Sequence, residues 1–88
     1  MVSKKVVVTN GDGLHLRPAG VLCKEAVKFT SKIHFIFGEK ICNAKSVLSV
    51  VSASVKKGDE IEVICDGADE EAALAYLVKL IEDKFDIE

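Results

Sequence analysis

Two periods run through the order of apolar and polar residues. Strict alternation marks a half-buried strand, and three-and-four spacing marks an amphipathic helix. Val2 to Thr9 is β-branched and broken by Lys4 and Lys5, so it reads as a strand with Val6 and Val8 on one face. Asn10-Gly11-Asp12-Gly13 is a loop by composition. From Leu16 to about Thr30, Ala19, Leu22, Cys23, Ala26 and Val27 predict a helix with one face on a core, with Lys24 and Lys28 off the stripe. Ile33, Phe35 and Phe37 alternate with His34 and Ile36, which predicts a strand over Lys32 to Phe37. Gly38-Glu39 fits a two-residue hairpin turn with glycine leading, and Lys40 to Ala44 returns as the paired strand.

The second half reads less evenly. Val47, Leu48, Val50 and Val51 suit either a short helix or a buried strand over Ser46 to Ser52, with Ser46 a fitting N-cap. Ser54 to Asp59, with Lys56, Lys57 and Gly58, is a loop. Glu60 to Cys65 alternates cleanly, with Ile61, Val63 and Cys65 inward and acidic residues toward solvent. Asp66-Gly67-Ala68 is a turn and Asp69 a helix cap, followed by Glu70 and Glu71 in a first turn that suits the helix dipole. Leu74, Leu77, Val78, Ile81 and Phe85 then form an apolar stripe to the end, with Lys79 and Lys84 in the C-terminal half, and this helix reads as scaffold.

Composition narrows the classes. A length of 88 residues predicts one domain, 1–88, that buries only ~60% of its extended surface. Twelve basic against fourteen acidic residues lack the basic face that nucleic acid requires. No apolar run is long enough to insert in a membrane and no leader pattern opens the chain, so a cytoplasmic protein is expected. Cys23, Cys42 and Cys65 are odd in number, widely spaced and set at apolar positions. They read as reduced core residues, and no metal site is expected.

The candidate chemistry lies in Gly13-Leu14-His15-Leu16-Arg17-Pro18-Ala19. Proline is favoured in the first turn of a helix, where its missing N–H had no partner. That places His15 at the helix start, beside unpaired N–H groups that attract an anion such as phosphate. Arg17 adds a permanent cation whose planar donor fork suits phosphate oxygens. His15 adds a ring nitrogen as nucleophile. These residues point to a histidine that accepts and gives away a phosphoryl group. A plain capping histidine and a passive anion site are the alternatives from this stretch alone. His34 lies within a strand with no such neighbours and reads as structural or surface.

Gly13-Leu14-His15-Leu16-Arg17-Pro18-Ala19 resembles the active-site signature of the HPr family, the histidine phosphocarriers of the bacterial sugar phosphotransferase system. Asn43-Ala44-Lys45-Ser46-Val47-Leu48, Lys57-Gly58-Asp59-Glu60-Ile61 and Asp66-Gly67-Ala68-Asp69-Glu70 match three further family signatures, in the family's order and length. The resemblance implies that the segment after Ser46 is a short helix. The fold class is then α+β in the order β-α-β-β-α-β-α, a two-layer open-faced sandwich. Its four-stranded antiparallel sheet is covered on one face by three helices.

The resemblance further implies a carrier with no turnover of its own and no cofactor. His15 takes a phosphoryl group from phosphorylated enzyme I and passes it to sugar-specific permease A components. The Leu16 and Arg17 backbone and the Arg17 side chain hold the transferring group. Partners dock on Leu16, Gly20, Lys24, Val47, Leu48 and Val51, the last three being core filler on the alternative reading. In many members a serine matching Ser46 is phosphorylated by HPr kinase/phosphorylase and read by a carbon-catabolite transcription regulator. A regulatory module working mainly through phospho-Ser46 is the alternative function, although relatives specialised that way can lack the active histidine, which is present here. A monomer is expected. Ser49 and Ser54 replace a common glycine, Leu48 a common methionine and Leu16 a smaller residue, and these departures bear on partner choice.

Overall fold

In the computed structural model, which describes residues 1–86, the elements are β1 (Val2–Val7), α1 (Leu16–Ala26), β2 (Lys32–Phe37), β3 (Lys40–Asn43), α2 (Val47–Ser52), β4 (Glu60–Asp66) and α3 (Glu70–Glu82). The strands form one sheet in the order β1-β4-β2-β3, antiparallel throughout. The helices cover one face, as the element order predicts, giving an open-faced α+β sandwich. Val6, Ile33, Phe35, Ile61, Val63 and Cys65 supply the sheet's side of the core, and Leu22, Ala26, Val50, Leu77 and Ile81 the helices' side. On the uncovered face Lys5 lies opposite Glu62, and Glu62 opposite Ile36.

The β2–β3 hairpin turns at Gly38-Glu39, and its positive φ of 61° falls on Gly38, where a side chain would be strained. Val8 leaves the strand but stays fully buried. Its N–H donates to the Asp59 carbonyl at 2.9 Å, and its carbonyl accepts from Gly58 N–H at 2.7 Å. All three cysteines are buried and free, and burial raises each thiol above its ordinary value.

Several expectations are corrected by packing. The first helix stops at Ala26 instead of Thr30, and Val27, expected on the buried stripe, is its C-cap and is 57% exposed. The next amides tighten onto carbonyls three residues back, Lys28 on Glu25 and Phe29 on Ala26, both at 3.2 Å. The inward place goes to Glu25, only 2% exposed. Its carboxylate accepts from Tyr76 Oη of α3 at 2.7 Å and from Lys28 Nζ at 3.0 Å, and these bonds lower its pKa against the cost of burial.

Asp69 stands at the N-cap of α3 but does not cap with its side chain. The carboxylate reaches the end of the α1–β2 connection, accepting from Thr30 N–H at 2.8 Å, Ser31 N–H at 2.9 Å and the Ser31 hydroxyl. The Ser31 hydroxyl, followed by the backbone donors, holds this carboxyl down at about 2 from an ordinary 3.8. A depressed folded-state value means a contribution fully present above 3.8 and lost as the pH falls to about 2. Asp69→Ala is therefore expected to melt below wild type at neutral pH, with the gap closing as acid protonates the wild-type carboxyl. Melting curves that stay equally separated throughout the acid range would remove this linkage.

The last helix ends at Glu82, so Phe85 is not on its stripe. Lys84 N–H donates to Ile81 and Phe85 N–H to Leu80, the paired bonds of a Schellman ending, with positive φ at both Lys84 and Phe85. The chain thereby turns back and buries the Phe85 ring.

The short segment after Ser46 is helical. Ser46 Oγ accepts from Ser49 N–H at 3.2 Å, and Val50 is driven fully into the core. Ser54 follows α2 with φ 59°, a left-handed conformation that explains why glycine suits this place. Ser54→Gly is expected to raise stability by about 1 kcal/mol, the relief of strain exceeding the added freedom of the unfolded chain. A denaturant midpoint that falls on this substitution would contradict it.

Candidate functional site

The loop before α1 is pinned at both ends. Gly13 N–H donates to the Asn10 carbonyl at 3.1 Å, and Asn10 Nδ2 returns a bond to the Gly13 carbonyl at 2.7 Å. Leu14 is buried, and its N–H donates to the Val55 carbonyl at 3.0 Å. Gly13 lies so close to the chain after α2 that a Cβ would stand 2.4 Å from the Val55 oxygen, and its φ is +60°. Composition alone marked this stretch as a loop. It left unseen the buried Asn10 and the backbone crossing at Gly13, whose signal is the glycine directly before Leu14-His15.

His15 is the N-cap of α1, with extended φ −80° and ψ −172°. Its carbonyl accepts from Ala19 N–H at 2.8 Å, while its exposed ring makes no capping bond and stays free for another partner. The next positions are Leu16, Arg17 and Pro18. Leu16 and Arg17 N–H have no acceptor within the helix, and Pro18 has no N–H to offer. Within the first turn the free donors are thus the Leu16 and Arg17 amides, which directly follow His15 in the chain. The His15 N–H is likewise unpartnered among the described residues, and the exposed Arg17 side chain starts from the same turn. Two amides, a cation and an unengaged imidazole at a positive helix end suit a tetrahedral anion with one face toward the ring nitrogen. A polar hollow beside them is lined by Asn10, Asp12, Arg17, Pro18, Lys84 and Phe85.

α2 packs against α1. Leu16, Gly20 and Lys24 recur every fourth residue along α1, so they share a face. Leu16 is 65% exposed, Leu48 80% and Val47 38%, an unusual outlay of apolar surface on two touching helices. Lys24 is exposed, and Gly20 is half-buried. Val51 differs from the others: it packs against the core cluster, in keeping with the core-filler alternative. Ser46 is half-buried at the start of α2, and Ser49 Oγ accepts from Asn43 N–H at 2.9 Å, a bond that a glycine could not make. His34 is elsewhere, paired between Ile64 and Asn43 in the sheet.

Among the described residues no three His, Cys, Asp or Glu side chains converge as metal ligands, and no helix is long and apolar enough to cross a membrane. The family model described as the PTS HPr component phosphorylation site matches residues 2–83. The phosphocarrier protein HPr of Treponema pallidum is 39% identical over 88 residues, the full length of both chains. The crystal structure of HPr-C-His from Thermoanaerobacter tengcongensis superposes with a TM-score of 0.95 at 39% identity, over 100% of this chain and 99% of that one. The crystal structure of Crh from Bacillus subtilis gives a TM-score of 0.77 at 37% identity, over 96% of this chain and 97% of the other. With the motif, the fold and the match in agreement along nearly its whole length, the chain belongs to the HPr family of phosphotransferase-system phosphocarriers.

Proposed function

We propose that His15 is the phosphoryl-carrying residue of a one-domain shuttle. A ring nitrogen, Nδ1 by family habit, attacks the phosphorus held by phosphorylated enzyme I. A nitrogen–phosphorus bond forms as the donor's bond to phosphorus breaks, and the reverse exchange delivers the group to a sugar-specific permease A component. The observation that carries this reading is the exposed, uncapped His15 ring beside two free amides and Arg17. The amides and the guanidinium neutralise charge on the transferring group without moving. The domain turns over nothing by itself, so it needs a protein at each end. Leu16, Gly20, Lys24, Val47 and Leu48 form the face on which those proteins sit, with Val51 beneath it. Incubation with enzyme I and labelled phosphoenolpyruvate tests the reading. The expected label is lost in acid and kept in base, as a phosphohistidine requires, and an acid-stable label overturns it.

Ser46 carries a second, regulatory reading, favoured by its place at the head of the docking helix and by kinship to Crh, described as a catabolite repression protein. A phosphate there adds about −1.5 to −2 charge beside Val47 and Leu48 and repels an acidic partner. Label transferred from ATP by HPr kinase/phosphorylase, absent from Ser46→Ala, is the expected sign, with a carbon-catabolite transcription regulator as the reader. The carrier acts in the cytoplasm and as a monomer. The Crh crystal structure, a swapped-domain dimer, defines the competing state, and a molar mass measured by light scattering decides between them.

A further inference from the structure

The turn after α2 bears two lysines that the carrier reading leaves unused. Lys56 and Lys57 are both exposed, and neither ammonium has an ion-pair or hydrogen-bond partner among the described residues. Lys28 is engaged with Glu25, Lys79 with Asp83, Lys40 with the Ala53 carbonyl and Lys45 with the Phe29 carbonyl. Lys5 and Lys32 on the uncovered sheet face are, among the described residues, as free as this pair but lie away from His15. The nearest acid, Asp59, is turned into the backbone, its carboxylate accepting from Lys56 N–H at 2.8 Å. Asp59 N–H closes the turn on the Lys56 carbonyl at 3.0 Å. The turn is therefore held from within, and its two cations face outward unneutralised.

Its position matters more than its charge. A Cβ on Gly13 would meet Lys56 Cα at 2.7 Å, so the lysine backbone lies directly against the loop that presents His15 two residues later. Leu14 N–H and the Val55 carbonyl tie the same two segments together. Arg17 and Lys24 bring cations to the site on α1, and this turn brings two more on a separate element.

We infer that Lys56 and Lys57 form a second docking element, which receives an acidic strip on the protein that donates the phosphoryl group. This rests on the carrier reading of His15 and adds a recognition surface to it. Cations at the rim of an interface act chiefly on encounter rate, and salt screens them. The pair K56Q/K57Q is expected to slow phosphorylation by charged enzyme I about fivefold at low salt, with the difference fading at high salt and the final label per chain unchanged. The pair K56E/K57E should be slower still. A matched neutralisation on the uncovered sheet face, K5Q/K32Q, is expected to leave the rate within about a factor of two. Equal slowing by both neutralised pairs reduces the effect to net charge and overturns the inference. So does an unchanged rate in K56Q/K57Q. A wild-type chain that takes no label sinks the carrier reading first, and with it this one, which keeps the two failures apart.

Discussion

His15→Ala is expected to take up no acid-labile phosphate from enzyme I and phosphoenolpyruvate, while melting within a few degrees of wild type. Both halves follow from the geometry. On the proposed reading the ring is the nucleophile at the head of the helix whose Leu16 and Arg17 amides are free, so removing it leaves the transferring group with nothing to bond. Yet the ring makes no capping bond and is exposed, so its loss costs little, within about 0.5 kcal/mol as for ordinary surface changes. The His15 carbonyl still accepts from Ala19 N–H, since that bond belongs to the backbone. Loss of label therefore reports chemistry and not unfolding. Retained label on a folded His15→Ala chain would falsify the assignment. Arg17→Gln separates cradle from nucleophile: the final label should be unchanged, with the rate down roughly tenfold to hundredfold as one charged donor is lost.

The largest structural effect is expected at Gly13. In Gly13→Ala the new methyl would stand 2.4 Å from the Val55 oxygen and 2.7 Å from Lys56 Cα, and the backbone would hold a left-handed φ of +60°. Neither obstacle is the movable end of a side chain, so the two backbone segments must separate. A cost of about 3 kcal/mol is expected, or a melting temperature lower by roughly 15 °C for a domain of this size. Phosphoryl uptake should fall as well, because Leu14 N–H and the Val55 carbonyl anchor the residue next to His15. Asn10→Ala removes only the side-chain bond to the Gly13 carbonyl and should cost about 1 kcal/mol. Thermal melts of the two variants side by side check the ranking. A Gly13→Ala chain as stable as Asn10→Ala would show that the crossing yields more easily than its contacts imply.

The elements of the sheet were legible because their cause is local. Ile33 and Phe35 alternate with Lys32, His34 and Ile36, and Ile61, Val63 and Cys65 alternate with Glu60, Glu62 and Ile64; in each strand the first-named set is the one buried in the core. The start of α1 was legible for a similar reason, since Pro18 admits few places in a helix and carries His15 and Arg17 with it. The helix after Ser46 was not legible from its own residues, as Val47, Leu48, Val50 and Val51 satisfy either period. Family likeness resolved it, and the structure shows the Ser46 cap that makes it physical.

The amino-acid sequence by itself determined where the four strands and the first and last helices begin and which residues could carry a phosphoryl group, because both depend on spacing within a few residues and on side-chain chemistry. Tertiary structure alone decided that Glu25 turns inward to Tyr76 while Val27 turns out, and that Asp69 binds Ser31 instead of its own helix. It also placed Gly13 against Val55 to present His15. Each of those outcomes joins residues far apart along the chain, and contacts of that kind leave no local period to read.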